Sequence, residues 1–207
     1  MTTKIIALAT SIVACATLMT LLEGCSTSNT FGIDHSQTGI VPLAVGNSWT
    51  YGVSSYDSMQ GVTTKDSMTL RVPADSVMFG RHFYLLYGAH YVTNTDSGLI
   101  KYNGTHDSLV DFRMYYQYPT VRGAKFSWLE AGSAYVESVD TLIGVVAGSF
   151  HCIHYQIRMY MRPYEDDYVC PNVGLVKSIT YMYFPYPLST KLRGTSTAGL
   201  ERYTLKK

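Results

Sequence analysis

The chain has 207 residues and is nearly neutral, with 16 Lys and Arg against 15 Asp and Glu. Charged residues make up only 15%, and no basic stripe or acidic tail stands out, which argues against nucleic acid as a partner. Tyrosine is high, at 18 residues, so the polar surface relies on hydroxyls more than on ions.

The first segment is a targeting signal. Lys4 gives a short positive start, and Ile5 to Leu22 is mostly apolar and uncharged. That layout is a secretory signal, to be set aside before the fold is considered. The stretch is borderline for a membrane span, which needs about 20 apolar residues. After it come Ser26, Thr27, Ser28, Asn29 and Thr30, with no Lys or Arg before Lys65. A retained anchor usually ends in basic residues, so cleavage is favoured over retention.

Leu22-Glu23-Gly24-Cys25 resembles the lipobox of bacterial lipoproteins. Leu22, Gly24 and Cys25 match the pattern, and Glu23 departs from it. Ile12-Val13-Ala14-Cys15 fits the same letters, but it leaves too short an apolar stretch before it. The resemblance implies cutting before Cys25, a diacylglycerol on its thiol and acylation of the new N-terminus. One acyl chain holds a protein to a bilayer only marginally, whereas several on one cysteine hold it firmly. Ser26 lacks the aspartate that marks inner-membrane retention, which implies the outer membrane. The alternatives are a cleaved secreted protein and an uncleaved anchor. The expected organisation is therefore a signal peptide over 1–24, a lipidated tether over 25–40 and a single all-β domain over 41–207.

From residue 41 the apolar period is two. In "DSMTLRV", Met68, Leu70 and Val72 alternate with polar residues. In "HFYLLYGAHY", Phe83, Leu85, Tyr87, Ala89 and Tyr91 share a face. Val110, Phe112, Met114, Tyr116 and Tyr118 do so in the next run, and Ile153, Tyr155, Ile157, Met159 and Met161 in a later one. Such alternation predicts half-buried strands. Gln60-Gly61, Asn103-Gly104 and the segment Arg162 to Asp166 look like reversals, Asn-Gly being a strong hairpin signal. Pro185 and Pro187 end the strand from Gly174, residues 188–198 read as a loop, and "LERYTLKK" returns as a last strand. No window after residue 40 carries a helical stripe.

About ten strands joined by short turns predict an antiparallel meander, because parallel pairing would need long crossovers. A sheet that large curls or splits. The expected fold is a curved half-barrel or barrel, with a β-sandwich as the alternative. A transmembrane barrel is disfavoured by the lipobox and by charges on both faces of several strands.

"VPLAVGNSWTYGV" (41–53) and "YVCPNVGLVKSI" (168–179) are similar to paired signatures in uncharacterised secreted or lipid-anchored bacterial β-proteins. Pro42, Leu43, Gly46, Asn47, Trp49 and Tyr51 match the first, and Val173, Gly174, Leu175, Val176 and Lys177 the second. "AGSFHC" (147–152) is similar to a segment between them. The resemblance implies no activity. Physically, Gly46-Asn47 supplies a tight turn and Trp49 a core plug. "PTVRGAKFSW" (119–128) echoes the opening, with Pro119, Gly123 and Trp128 for Pro42, Gly46 and Trp49, so an internal duplication and chance both remain open.

Chemistry is sparse. With Cys25 lipidated, Cys152 and Cys170 are left for a disulfide in an oxidising compartment, two buried thiols being the alternative. His151 and His154 lie three apart, which on a strand sends them to opposite faces and makes a poor metal pair. Glu165, Asp166 and Asp167 read as a solvated turn, a weak calcium site being the lesser reading. Asp34, His35 and Ser36 are neighbours within the tether, which is no way to gather a triad. No catalytic residue, cofactor or metal site is expected. The strand tyrosines serve packing or a binding face. The expectation is a monomeric, non-catalytic, lipid-anchored envelope protein. A carrier role predicts an apolar cavity of several hundred Å3. A role in an envelope complex predicts an exposed apolar patch or a free edge strand, and a hydrolase a Ser or carboxylate cluster beside His.

Overall fold

In the computed structural model the described residues are 39–86, 90–106, 109–128, 132–160, 162–183 and 192–206. The lipobox cysteine Cys25, the triplet Asp34–Ser36 and the tether up to residue 38 lie outside them. All regular structure among the described residues is strand, and every pairing is antiparallel.

Among the described residues thirteen strands form two sheets rather than one meander of about ten. The larger contains β1 (Ser48–Asp57), β2 (Val62–Arg71), β8 (Lys125–Trp128), β9 (Gly132–Val145), β10 (Gly148–Met159), β11 (Arg162–Cys170), β12 (Gly174–Tyr183) and β13 (Leu192–Thr204), in the order β2-β1-β13-β12-β11-β10-β9-β8. The smaller contains β3 (Asp75–Met78), β4 (Arg81–Leu86), β5 (His90–Thr95), β6 (Gly98–His106) and β7 (Leu109–Gln117) in sequence order. Neither sheet closes into a barrel. The larger one curls at one side: at the β9–β10 turn Ala147 N–H donates to Leu200 O, 3.0 Å away on β13.

The alternation that predicts strands also fixes which faces meet. Trp49, Tyr51, Val136, Ile153, Tyr155, Val169 and Leu200 from the large sheet are buried against Leu86, Val92, Leu99 and Tyr116 from the small one. Strand register is thereby pinned, since a one-residue slip would turn each apolar set to water. On the other face of the small sheet, Phe83 stacks on Phe112 at 5.7 Å, with Phe79 and Tyr102 beside them.

Four local expectations are corrected. "HFYLLYGAHY" spans two strands, β4 ending at Leu86 and β5 beginning at His90, which pair antiparallel. Asn103-Gly104 does not turn the chain: β6 runs through it, and Gly104, at φ +95°, sits in a register shift between Tyr102 and Thr105. A bulge takes up the left-handed glycine that a hairpin turn would also use. Arg162 to Asp166 is no reversal but the first half of β11. Residues from Leu192 onward, expected as loop, begin β13, whose Ser, Thr and Gly residues pair with β1 and β12 on either side.

The echo of the opening stretch is real in geometry. Asn47 N–H bonds to Ala44 O and Ala124 N–H to Val121 O, two turns closed the same way at 3.0 and 3.1 Å. In each, a glycine of positive φ (Gly46 at +94°, Gly123 at +84°) donates further along the chain, to Val72 O just past β2 and to Val136 O in β9. Val72 and Val136 in turn donate back to Asn47 O and Ala124 O. Counting from the glycine, Phe126 stands where Trp49 does, and Trp128 matches Tyr51 instead. The two signature stretches also meet. Trp49 Nε1–H donates to Val173 O at 2.6 Å and Tyr51 OH to Leu175 O at 2.9 Å, across 124 residues of chain.

Asn47 clips this corner together. Its amide donates to Pro42 O at 2.8 Å, and its Oδ1 accepts from Lys206 N–H at 2.7 Å, with the side chain buried. Asn47→Ala removes both bonds from this corner, one to the half-buried Pro42 carbonyl and one to the N–H of the exposed Lys206. The expected cost is about 2–3 kcal/mol, seen as a lower urea midpoint with unchanged slope.

Candidate ligand cavity

The space between the sheets holds two kinds of polar group. Tyrosine hydroxyls bridge the layers: Tyr155 OH of β10 donates to Gln117 O of β7 at 2.7 Å, and Tyr116 OH of β7 donates to Asp167 Oδ2 of β11 at 2.6 Å. Their rings lie 5.1 Å apart. Burial holds the Tyr155 hydroxyl well above its ordinary pKa, which keeps it a neutral donor.

The acidic triplet is the largest surprise. Strand geometry splits it across the sheet. Glu165 and Asp167 face inward, where Ser178 Oγ donates to Glu165 Oε1 at 2.7 Å. Asp166 faces outward and accepts from Tyr181 OH at 2.6 Å and from His154 Nε2 at 2.9 Å. Burial raises the Asp167 pKa well above the ordinary carboxylate range, the Glu165 charge raises it further, and Tyr116 and Ser178 only partly offset this. Burial raises Glu165 too. Burial also acts on Asp166, but the hydrogen bonds from His154 and Tyr181 outweigh it and hold that carboxyl below its usual value. A solvated turn and a calcium loop are both ruled out by this placement.

The histidine pair is likewise separated. His154 stacks on Tyr168 at 4.5 Å and serves Asp166, while His151 Nδ1 faces Asp140 Oδ1 at 2.5 Å in solvent. Among the described residues, no three His, Cys, Asp or Glu gather as a metal site. Cys152 and Cys170 flank the paired residues Ile153 and Val169 on neighbouring strands, and both thiols are free in the structure. Burial, together with the neighbouring Cys170, pushes the Cys152 thiol up to about 12.

Beside Glu165 a cavity of about 280 Å3 opens between the sheets. Leu86, Val92, Leu99 and Tyr115 of the small sheet and Trp128 and Tyr164 of the large sheet make its apolar wall. Tyr115 and Tyr164 flank the Trp128 ring at 6.0 and 6.3 Å. Three polar groups break that wall: His90, Lys101 and Glu165. Lys101 Nζ lies 3.5 Å from His90 Nε2, and desolvation lowers the pKa of both. Behind Leu86, Leu99 and Tyr115 a smaller hollow of about 20 Å3 continues toward Trp49, Tyr51 and Leu175.

A second cleft, about 390 Å3, lies along Arg81, His82, Tyr84 and Asn94 to Asp96. Several of its walls are exposed polar side chains, so it is a surface trough rather than an enclosed site. Sequence patterning does not place the cavity between the sheets. Alternation sets Tyr115 opposite Tyr116, whereas a bulge in β7 turns both toward the space between the sheets, so the cavity has no signal in the sequence beyond the second tryptophan.

No protein-family model matches the chain, and no curated protein matches its sequence. Three solved structures share features of the fold. A Bacteroides fragilis protein described as exported, with a YmcC-like fold, is 14% identical over 79% of this chain and 98% of its own, with a TM-score of 0.41. A Parabacteroides distasonis protein described as a lipoprotein is 16% identical over 81% and 99%, with a TM-score of 0.42. A LolA superfamily protein from Nitrosomonas europaea is 11% identical over 79% and 87%, with a TM-score of 0.23. Likenesses of this strength assign neither a family nor a function.

The inward carboxylate has a measurable consequence. The Asp167 pKa is raised on folding, so between its ordinary value of 3.8 and the folded value the native state binds more protons than the unfolded chain. Its contribution is full at acid pH and falls as pH rises through that window. Asp167→Asn keeps an acceptor for Tyr116 without the charge. Its stability relative to the unsubstituted protein is expected to rise with pH, measured by urea unfolding across the series. A gap that shrinks as pH rises contradicts the assignment.

Proposed function

We propose that this is a lipid-anchored envelope protein that binds rather than catalyses, seating a small amphiphilic or apolar molecule between its two sheets. The observation that carries the binding role is the cavity walled by Leu86, Val92, Leu99, Tyr115, Trp128 and Tyr164. Ligand sites are concave, mostly apolar and broken by a few convergent polar groups, and this cavity has that composition. The bridging tyrosines support the reading from the other side. They use their hydroxyls to space the sheets, which leaves the apolar end between β5, β6, β8 and β11 free for a guest.

Location rests on the lipobox. Acylated Cys25 would tie the domain to a bilayer through the polar stretch that follows, and Ser26 favours the outer membrane. In that compartment Cys152 and Cys170 would close a bridge. The two thiols lose two electrons and two protons to a disulfide oxidant, and the S–S bond forms. The loop of about 18 residues would add roughly 3 kcal/mol in the chain-entropy model.

The cavity is tested with N-phenyl-1-naphthylamine, a dye that brightens in apolar surroundings. The expected result is saturable brightening, lost on Val92→Phe, which fills the space. Overpacking costs about 1–3 kcal/mol, so near-native circular dichroism must accompany that loss. No brightening with the unsubstituted protein would overturn the binding reading.

The anchor is tested by mass spectrometry of protein extracted from membranes of its host. The chain is expected to begin at Cys25 with acyl mass and to be two hydrogens lighter than the dithiol form. Cys25→Ala is expected to leave the membrane fraction, and its retention there would overturn the lipid anchor.

A further inference from the structure

The small sheet is apolar on both sides. An antiparallel sheet commonly packs one face on the core and gives the other, with polar residues, to water. Here Leu86, Val92 and Leu99 face the large sheet. On the opposite face the ladders set Leu85 beside Tyr91, Tyr91 beside Tyr102, Tyr102 beside Phe112, and Ile100 beside Met114. None of those six belongs to the core between the sheets. Among the described side chains in that register the sole charged one is Arg81, opposite Met78.

The β3–β4 hairpin adds a ring to this face at a conformational cost. Met78 pairs with Arg81, so Phe79 and Gly80 form a two-residue turn, with φ of +53° and +73°. Such turns favour Asn-Gly, because both residues need positive φ. A bulky side chain there is a backbone outlier, and strain of this kind is kept where a function uses it. The Phe79 ring lies 5.5 Å from Tyr102 and 5.8 Å from Phe112, yet it is 54% exposed, and Phe112 is 37% exposed. Large exposed apolar patches mark protein or membrane contacts.

The chain enters the fold on the same sheet. Gly39 lies against the Asn94 side chain of β5, and Asn94 Nδ2 donates to Val41 O at 2.7 Å. Cys25 to Thr38 is 14 residues, and a chain spans at most about 3.5 Å per residue, so a lipidated Cys25 keeps Gly39 within about 50 Å of the bilayer. A tethered surface meets its target at high effective concentration, so a patch too weak to bind from solution is held there.

We propose that the outer face of the small sheet, centred on Phe79, Tyr102 and Phe112, docks on the bilayer that carries the acylated Cys25, with its aromatic rings seated among the lipid head groups. This rests on the lipid anchor proposed above and is independent of the cavity. Interfacial binding scales with buried apolar area and with attraction to anionic lipid, and this face offers aromatic rings and a cation with no described carboxylate in its register. Docked in this way, the domain turns the large sheet away from the membrane.

The test uses full-chain acylated protein reconstituted into vesicles of phosphatidylethanolamine and phosphatidylglycerol, with and without bromine on the acyl chains. Bromine quenches an indole that reaches into the lipid. Trp49 and Trp128 are buried in the protein, so a third indole is placed by Phe79→Trp, by Phe112→Trp or, on the large sheet, by Leu142→Trp. Phe79→Trp and Phe112→Trp are expected to lose emission in brominated vesicles, while Leu142→Trp and the unsubstituted protein keep theirs. Equal quenching at all three positions, or none at Phe79 and Phe112, would overturn the inference. So would a blue-shifted Phe79→Trp emission that bromine leaves unchanged and dilution reverses, which assigns the face to a second copy. Each variant must keep native circular dichroism, and the two positions on the face serve as the test if either one fails to fold. Vesicle flotation reads the anchor separately. Protein that floats unquenched overturns the docking face alone, and protein that does not float overturns the anchor and the face together.

Discussion

Two tyrosine rings set the distance between the sheets. Tyr155 reaches from β10 to the backbone of β7, Tyr116 reaches from β7 to the carboxylate of β11, and the rings lie 5.1 Å apart between them. Each hydroxyl is buried, so each must find an acceptor, and the acceptors lie on the opposite sheet. The layers therefore cannot slide or separate without breaking buried hydrogen bonds. This explains why a chain poor in charge is rich in tyrosine: the phenol spans a core as an apolar body and still ends in a directed polar contact. Asp167 is the most demanding partner in that arrangement. Its Oδ1 is buried without a hydrogen bond, and Glu165 sits on the same face two residues away. The fold accepts that cost at the place where the sheets are pinned.

The same constraint places the cavity. Where tyrosines bridge, the core is filled; beyond Leu86 and Leu99 the filling stops and the layers enclose space. β8 is only four residues long, so the large sheet ends there with Trp128 rather than a further row of side chains. The recurring turn shows how one local device serves two ends. In both places a glycine of positive φ closes a turn and hands the chain into a strand that buries an aromatic ring. In the first the rings are engaged by the Val173–Leu175 segment. In the second the matching ring borders a cavity.

Much of the fold is legible in the order of the residues. Ile153, Tyr155 and Ile157 alternate with His154 and Gln156 and are buried as the alternation requires, while Cys152, from the opposing set, is buried as well. Trp49 is the core plug its position suggests. Reversals are harder to read. "HFYLLYGAHY" alternates without a break through what is really a change of strand, because two consecutive strands can keep one apolar rhythm across a short connection. Asn-Gly at 103–104 has the chemistry of a turn, and a bulge needs the same left-handed glycine. Glu165 to Asp167 resembles a solvated turn because three adjacent carboxylates are rarely buried; their partners Tyr116, Ser178, His154 and Tyr181 come from 12 to 51 residues away.

By itself the sequence determined that the domain is β and that its strands pair antiparallel. It did not decide every inward face: Leu86 and Val92 meet the other sheet while Phe83 turns away, and a bulge in β7 puts Tyr116 and Phe112 on opposite faces. Its resemblance to a lipobox at Leu22 to Cys25 is likewise written in adjacent residues. Only the tertiary structure decided that the strands form two open sheets and that the signature stretches around Trp49 and Gly174 meet. It also split the acidic triplet between the inner and outer faces of the sheet, with Asp166 as well as Asp167 shielded from water, and it opened a cavity beside Lys101 and Glu165. The physical reason is the same in each case. A strand specifies its faces locally, but which strand lies opposite, and how much space remains between them, depends on contacts between residues far apart in the chain.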